Sequence, residues 1–217
     1  MVARERLLRE ELACAFRWAA RLDMHEGVAN HFSVAVDDGG DAEGGGESAE
    51  GGENARGDNH QSGGRRFLMN PAGRHFSQMR ASDLLLLNAD GEAPKGENAP
   101  DPTAWCLHGF LHRHLPGAKC ILHTHSPYAT ALASLADGKL LPIDQNACRF
   151  YGRVAYDENF GGMLLAGQEA ARLAEVVGDR NVLVMRGHGV MVAAENIAEA
   201  FDLLYYFERS CKNQWLA

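Results

Sequence analysis

An α/β layered domain is the fold class that this sequence predicts, and three features point to it. Apolar runs of strand length alternate with longer segments in which apolar residues recur every three to four positions. Turn signals such as Asp90-Gly91, Pro116-Gly117 and Asp137-Gly138 separate the two kinds of segment. The 217 residues, 46% of them hydrophobic and without an internal repeat, suit one domain with a substantial core, spanning 1–217.

The first element is a helix within 3–22, where Leu7, Leu8, Leu12, Ala15, Phe16 and Ala19 follow helical spacing. HFSVAV (31–36) and RRFLMN (65–70) read as two strands of a hairpin. Between them, residues 37–64 hold ten of the 24 glycines, eight acidic residues and one basic residue. That stretch lacks aromatic and β-branched side chains, so it cannot offset its ordering entropy and reads as a disordered loop. ASDLLLLNADGE (81–92) is a buried strand between turns. DPTAWCLHGFLHRHLPG begins a helix, with Thr103 as its expected N-cap and an end near His114. KCILHTH is a strand, after which Ser126 and Pro127 open a helix reaching Asp137-Gly138. LLPIDQNAC reads as extended. A further helix lies within GGMLLAGQEAARLAEVVGD, and NVLVMRGHG is a strand ending in a glycine-flanked turn. The long helix in ENIAEAFDLLYYFERSCKNQ places Ala200, Leu203, Leu204 and Phe207 on one face.

Composition narrows the function. Seven of the eight units of net negative charge fall in 37–64, so the rest of the chain is nearly neutral. No basic patch points to nucleic acid, and no apolar run of about 18 residues points to a membrane span. The N-terminus mixes charge signs without an apolar core, and the five scattered cysteines include no CxxC pair. Reduced thiols in a cytoplasmic protein are therefore expected.

Histidines carry the chemistry. His123 and His125 sit two apart on a strand, so both imidazoles face one side. His188 follows another apolar strand and lies between Gly187 and Gly189, which permit a tight turn and leave room beside the ring. Three convergent histidines with an open position make a catalytic type of divalent metal site, whereas one histidine in an apolar strand is more often a core residue. His108 lies on the preceding helix and is expected to line the site. His112 and His114, near that helix's C-terminus, are expected to be exposed. Asn30, and the Asn70–Gly73 turn, are candidates for an anion contact.

Together ANHFS (29–33), FLMNPAG (67–73), ASDLLLLNADG (81–91), the helix with Trp105 and His108, ILHTHSPYATAL (121–132) and VLVMRGHGVMV (182–192) resemble the class II aldolase/adducin family, in family order. The resemblance implies a three-layer α/β/α domain with a central, largely antiparallel sheet, and homo-oligomers, commonly tetramers. It implies that His123, His125 and His188 bind a divalent metal; three histidine ligands suit zinc, with manganese, iron or cobalt as alternatives. It places Asn30, Asn70, Gly73 and Thr103 against substrate.

The sugar-phosphate aldolases of the family carry a glutamate where this chain has Ala104, and a tyrosine near the position of Gln145. The chain therefore looks closer to the branch with adducin heads and decarboxylase-like members. The expected activity is carbon–carbon lysis of a small carboxylate or carbonyl substrate through a metal-stabilised enolate, decarboxylation ahead of aldol cleavage. Metal-bound water, His108 or a tyrosine such as Tyr151 or Tyr156 is the expected proton donor, and Asp144 is a candidate substitute base or a turn residue. A non-catalytic adducin-like assembly module is the second reading.

Overall fold

The computed structural model describes residues 3–36, 65–90, 93–115, 117–159 and 167–217. The glycine-rich acidic stretch 37–64 lies outside them. Seven strands form one sheet: β1 (His31–Val36), β2 (Arg66–Met69), β3 (Leu85–Asn88), β4 (Cys120–Thr124), β5 (Val154–Asp157), β6 (Val182–Met185) and β7 (Gly189–Ala194). Their order is β3-β2-β1-β4-β7-β6-β5. Every neighbouring pair is antiparallel except β5 with β6.

Six α-helices among the described residues cover the two faces: α1 (Ala3–Arg21), α2 (Pro102–His114), α3 (Pro127–Ala133), α4 (Gln145–Cys148), α5 (Gly167–Val177) and α6 (Ile197–Leu216). Strand alternation sorts the core. Phe32 and Val34 of β1, Cys120 and Leu122 of β4, and Val190 and Val192 of β7 pack with Phe16 of α1, Leu132 of α3 and Leu204 of α6. On the opposite face, Ile121, Leu183 and Met191 pack with Leu107 and Leu111 of α2 and Leu173 of α5. The result is the three-layer α/β/α arrangement. The odd-numbered residues of β1 and β4 share the α2 face, so His31, Ser33 and His123 all point that way. The antiparallel register places His31 directly opposite His123.

Several local expectations change. Asp101, not Thr103, caps α2: its carboxylate accepts from the Thr103 and Ala104 backbone N–H groups, and Pro102 takes the first turn, where no N–H is missed. The stretch read as extended after Leu140 contains α4, because Asp144 caps it through the Ala147 N–H. Helix α3 stops at Ala133; the chain then folds back so tightly that a Cβ on Gly138 would lie 2.1 Å from the Leu132 carbonyl oxygen. Strands β5 and β7 are additional to the expected set. Leu7 is exposed, off the buried stripe of α1. All five cysteines are free. Among the described residues, no helix is long and apolar enough to cross a membrane.

One buried contact fixes the exit from β4 into α3. Glu208 of α6 accepts hydrogen bonds from the Ser126 hydroxyl (2.8 Å) and from the Tyr128 and Ala129 backbone N–H groups (2.9 and 2.8 Å). A carboxylate from a distant helix thus serves the N-terminus of α3, one residue past His125, where Ser126 itself makes no side-chain cap. Glu208→Ala leaves buried donors unpaired and should destabilise the protein by about 2–3 kcal/mol. Urea unfolding measures it, with Glu208→Gln, which keeps one acceptor, losing less. Equal stability of all three proteins would show that solvent serves these donors equally well.

Candidate metal centre

The two imidazoles at the end of β4 meet the third from the β6–β7 turn. Ring centroids are 4.9 Å apart for His123 and His125, and 4.8 Å for each with His188. One ligand nitrogen from each ring lies within 4.8 Å of the others. The turn needs its glycines for separate reasons. Gly187 has φ +65°, a region that side chains disfavour. A Cβ on Gly189 would lie 2.6 Å from the Thr124 carbonyl oxygen and 2.8 Å from Cδ2 of His125.

Tautomers follow from the outer contacts. His123 Nδ1 lies 3.0 Å from the Val190 carbonyl oxygen, which only accepts, so Nδ1 donates and Nε2 keeps its lone pair. His125 Nδ1 lies 2.7 Å from the Glu26 carboxylate, with the same consequence. The two Nε2 atoms are 3.1 Å apart, close to the roughly 3.3 Å that two imidazoles take on one tetrahedral zinc. Burial, and then the neighbouring histidines, hold His123 well below the usual imidazole range; burial and then His125 lower His188. Three imidazoles, two of them with the outer nitrogen committed, are a donor set that suits a borderline divalent cation. The residues fit a metal.

The three rings border a cavity of about 740 Å³. Asn30, Asn70, Gly73 and Thr103 all line it. Asn30 is buried, its Oδ1 accepting from the Glu26 N–H, while its Nδ2 has no partner. Asn70 is differently employed. Its Oδ1 accepts from the Phe32 N–H and its Nδ2 donates to the Asn30 carbonyl, clamping the 70–73 turn to β1. The Thr103 hydroxyl donates to Asp101. Ala104, where the aldolases carry glutamate, also lines the cavity and offers no proton-transferring group.

The expected proton donors lie elsewhere. His108 is fully buried and does not border the cavity; His31 stands between them, its Nδ1 2.8 Å from His108 Nε2. Tyr151 is 79% exposed and outside the cavity lining. The Tyr156 hydroxyl accepts from the Leu140 N–H, and Asp144 caps α4 and contacts Asn213. His112, expected at the surface, is instead fully buried, because its position on α2 faces β1: Nε2 meets the Ser33 hydroxyl at 2.7 Å and Nδ1 the Ala118 carbonyl oxygen at 2.7 Å. His114 is exposed, as expected.

The family described as Class II Aldolase and Adducin N-terminal domain matches residues 10–215. An adducin-related protein of Schizosaccharomyces pombe is 27% identical over 204 residues, covering 92% of this chain and 55% of its own length. Decarboxylase NovR of Streptomyces niveus is 27% identical over 149 residues, covering 68% of this chain and 55% of its own. This chain thus spans about half the length of these two relatives. The solved structure of L-fuculose 1-phosphate aldolase from Glaciozyma antarctica PI12 superposes with a TM-score of 0.76 at 26% identity, covering 99% of this chain and 74% of that one.

Proposed function

The chain belongs to the class II aldolase and adducin family, and from that premise we propose that it is a metal-dependent carbon–carbon lyase, decarboxylase before aldolase, acting on a small oxygenated carboxylate or sugar-acid derivative. The observation that carries this reading is the convergence of His123, His125 and His188 on a cavity whose glutamate position is Ala104. The three imidazoles would hold the ion, zinc by preference, with manganese, iron or cobalt as alternatives. A divalent ion there supplies Lewis acidity, stabilising the negative charge that develops beside the breaking bond.

The chain's own groups do the rest. Glu26 and the Val190 carbonyl orient two of the rings. The unpartnered Asn30 amide donates toward a substrate anion, and Arg186, exposed on the cavity lining, adds a positive charge for a carboxylate. Decarboxylation suits a site without the glutamate, because carbon dioxide leaves without removal of a hydroxyl proton. Aldol cleavage needs a base that Ala104 does not provide. Exposed Leu141, Ile143 and Trp215 are the kind of apolar surface that a homo-oligomer would cover, in keeping with the tetramer that the family resemblance implies.

Turnover tests the reading. A panel of 2-hydroxy and 2-oxo acids is assayed with metal-loaded wild type and His123→Ala. At least one acid should lose carbon dioxide or a carbonyl fragment, with the rate falling at least about 100-fold in the variant, since outer-shell partners alone typically contribute 10–100-fold. Rates in both proteins no higher than the uncatalysed background would remove the lyase reading and leave a non-catalytic adducin-like assembly module.

A further inference from the structure

Behind the metal centre, four side chains and one carbonyl form a continuous buried chain. It runs from His31 Nδ1 to His108 Nε2 (2.8 Å), from His108 Nδ1 to Ser33 Oγ (2.6 Å), from Ser33 Oγ to His112 Nε2 (2.7 Å), and from His112 Nδ1 to the Ala118 carbonyl oxygen (2.7 Å). Ser33, His108 and His112 are each 0% exposed.

The chain has a direction because one end can only accept. The Ala118 carbonyl takes a hydrogen bond, so His112 Nδ1 donates and its Nε2 carries the lone pair. The Ser33 hydroxyl must then donate to His112, and its single hydrogen is used. Ser33 therefore accepts from His108 Nδ1–H. That leaves His108 Nε2 as an acceptor, so His31 Nδ1 donates to it. The conclusion reaches the cavity: His31 Nε2 bears a lone pair. No hydrogen bond among the described residues is made to that nitrogen, and the ring lines the cavity against His123 at 4.6 Å between centroids. His31 is not one of the three residues whose nitrogens converge on the metal position.

We propose that His31 is a specificity-determining residue of this cavity: fixed by the Ser33–His108–His112 relay, its Nε2 accepts a hydrogen bond from a ligand hydroxyl and so favours a 2-hydroxy acid over the matching 2-oxo acid. A 2-oxo group has no hydrogen to give, and its oxygen would face the nitrogen lone pair. A ligand hydroxyl beside the carboxylate is the complementary donor. His31 would touch the ligand; Ser33, His108 and His112 act through it and are positioning residues. The inference rests on the reading that the cavity takes a small oxygenated carboxylate.

Two measurements test it on the full chain loaded with zinc, a diamagnetic ion. The first is long-range proton–nitrogen NMR of histidine-labelled wild type. His31 should appear as the neutral tautomer with its hydrogen on Nδ1 and an unprotonated, unmetallated Nε2. A hydrogen on Nε2, or zinc on it, overturns the proposal without reference to any ligand. The second is calorimetric affinity for L-lactate and pyruvate in wild type and His31→Phe, with zinc content checked in both. The lactate-to-pyruvate preference should be about tenfold higher in wild type than in the variant, the effect of one hydrogen bond. Ser33→Ala, which leaves His31 in place but frees the relay, should lose part of that preference. The same ratio in wild type and His31→Phe, or no binding of either acid, overturns the contact. Failure to bind zinc counts instead against the metal-dependent reading, and the NMR of the metal-free chain still decides the tautomer.

Discussion

His188→Ala should abolish stoichiometric metal binding. Elemental mass spectrometry on tag-free wild type, after equilibration with zinc, should give close to one ion per chain. The variant should retain little after desalting, with affinity reduced at least about 100-fold, more than the roughly 10–100-fold that loss of an outer-shell partner brings. The reason is geometric. His123 and His125 come from one strand end and already have their Nε2 atoms 3.1 Å apart; His188 is the member that arrives from a different segment, the β6–β7 turn. Without it, two imidazoles remain, and water must supply the other positions. The substitution should leave the fold intact, because His188 is only half-buried and its side chain lies beside the cavity rather than in the core. Unchanged zinc content in the variant would place the ion elsewhere.

The convergence of His123, His125 and His188 was legible in the sequence because each member has a local signature. HxH on an apolar strand dictates a shared face, and GHG after a strand dictates a turn with space beside it. The layered fold was legible from alternating periodicities, and its largely antiparallel sheet from the resemblance. What escaped depends on which strands become neighbours. His31 sits in the ANHFS stretch beside Asn30, but nothing local shows that β1 pairs with β4 and sets His31 against His123. The exposure expected for His112 came from its place near a helix end. Its burial comes from α2 lying over β1, so that the i, i+4 pair His108 and His112 brackets Ser33. Nothing local marks Glu26 and Glu208, which the tertiary fold brings to His125 and to the start of α3. A signal did exist for the relay: a serine two residues past His31 and two histidines four apart on a helix are compatible strand and helix periodicities. They become a prediction only once the two elements are known to face each other.

The same relay makes the metal-free protein acid-sensitive well above the range of its carboxylates. His112 is fully buried, and burial lowers it to about 4 despite its bond to the Ala118 carbonyl. In the unfolded chain the same imidazole titrates near 6.5. Between those values the unfolded state binds a proton that the folded state refuses, so stability falls as pH falls through that window and levels off below about 4. From pH 7 to pH 5, His112 alone accounts for a loss of about 2 kcal/mol. His108, held well below its ordinary range by burial and then by His31, adds a loss of the same sign. Most carboxylates titrate near 4, so this interval isolates the histidines. Urea unfolding of EDTA-treated protein at pH 7, 6 and 5 should show the decline. His112→Leu should be less stable at pH 7, since it leaves the Ser33 hydroxyl without its acceptor, yet lose about 2 kcal/mol less on acidification. Stability that stays level from pH 7 to pH 5 would mean that water reaches the relay and the imidazoles titrate as they do in the unfolded chain. It would also remove the directional hydrogen bonding that fixes the His31 lone pair, because a relay open to solvent need not keep one tautomer. Zinc should add most stability at neutral pH and lose that gain as acid competes for the ligand nitrogens, steepening the curve, and the difference between the zinc-loaded and EDTA-treated curves separates the metal's contribution from the relay's.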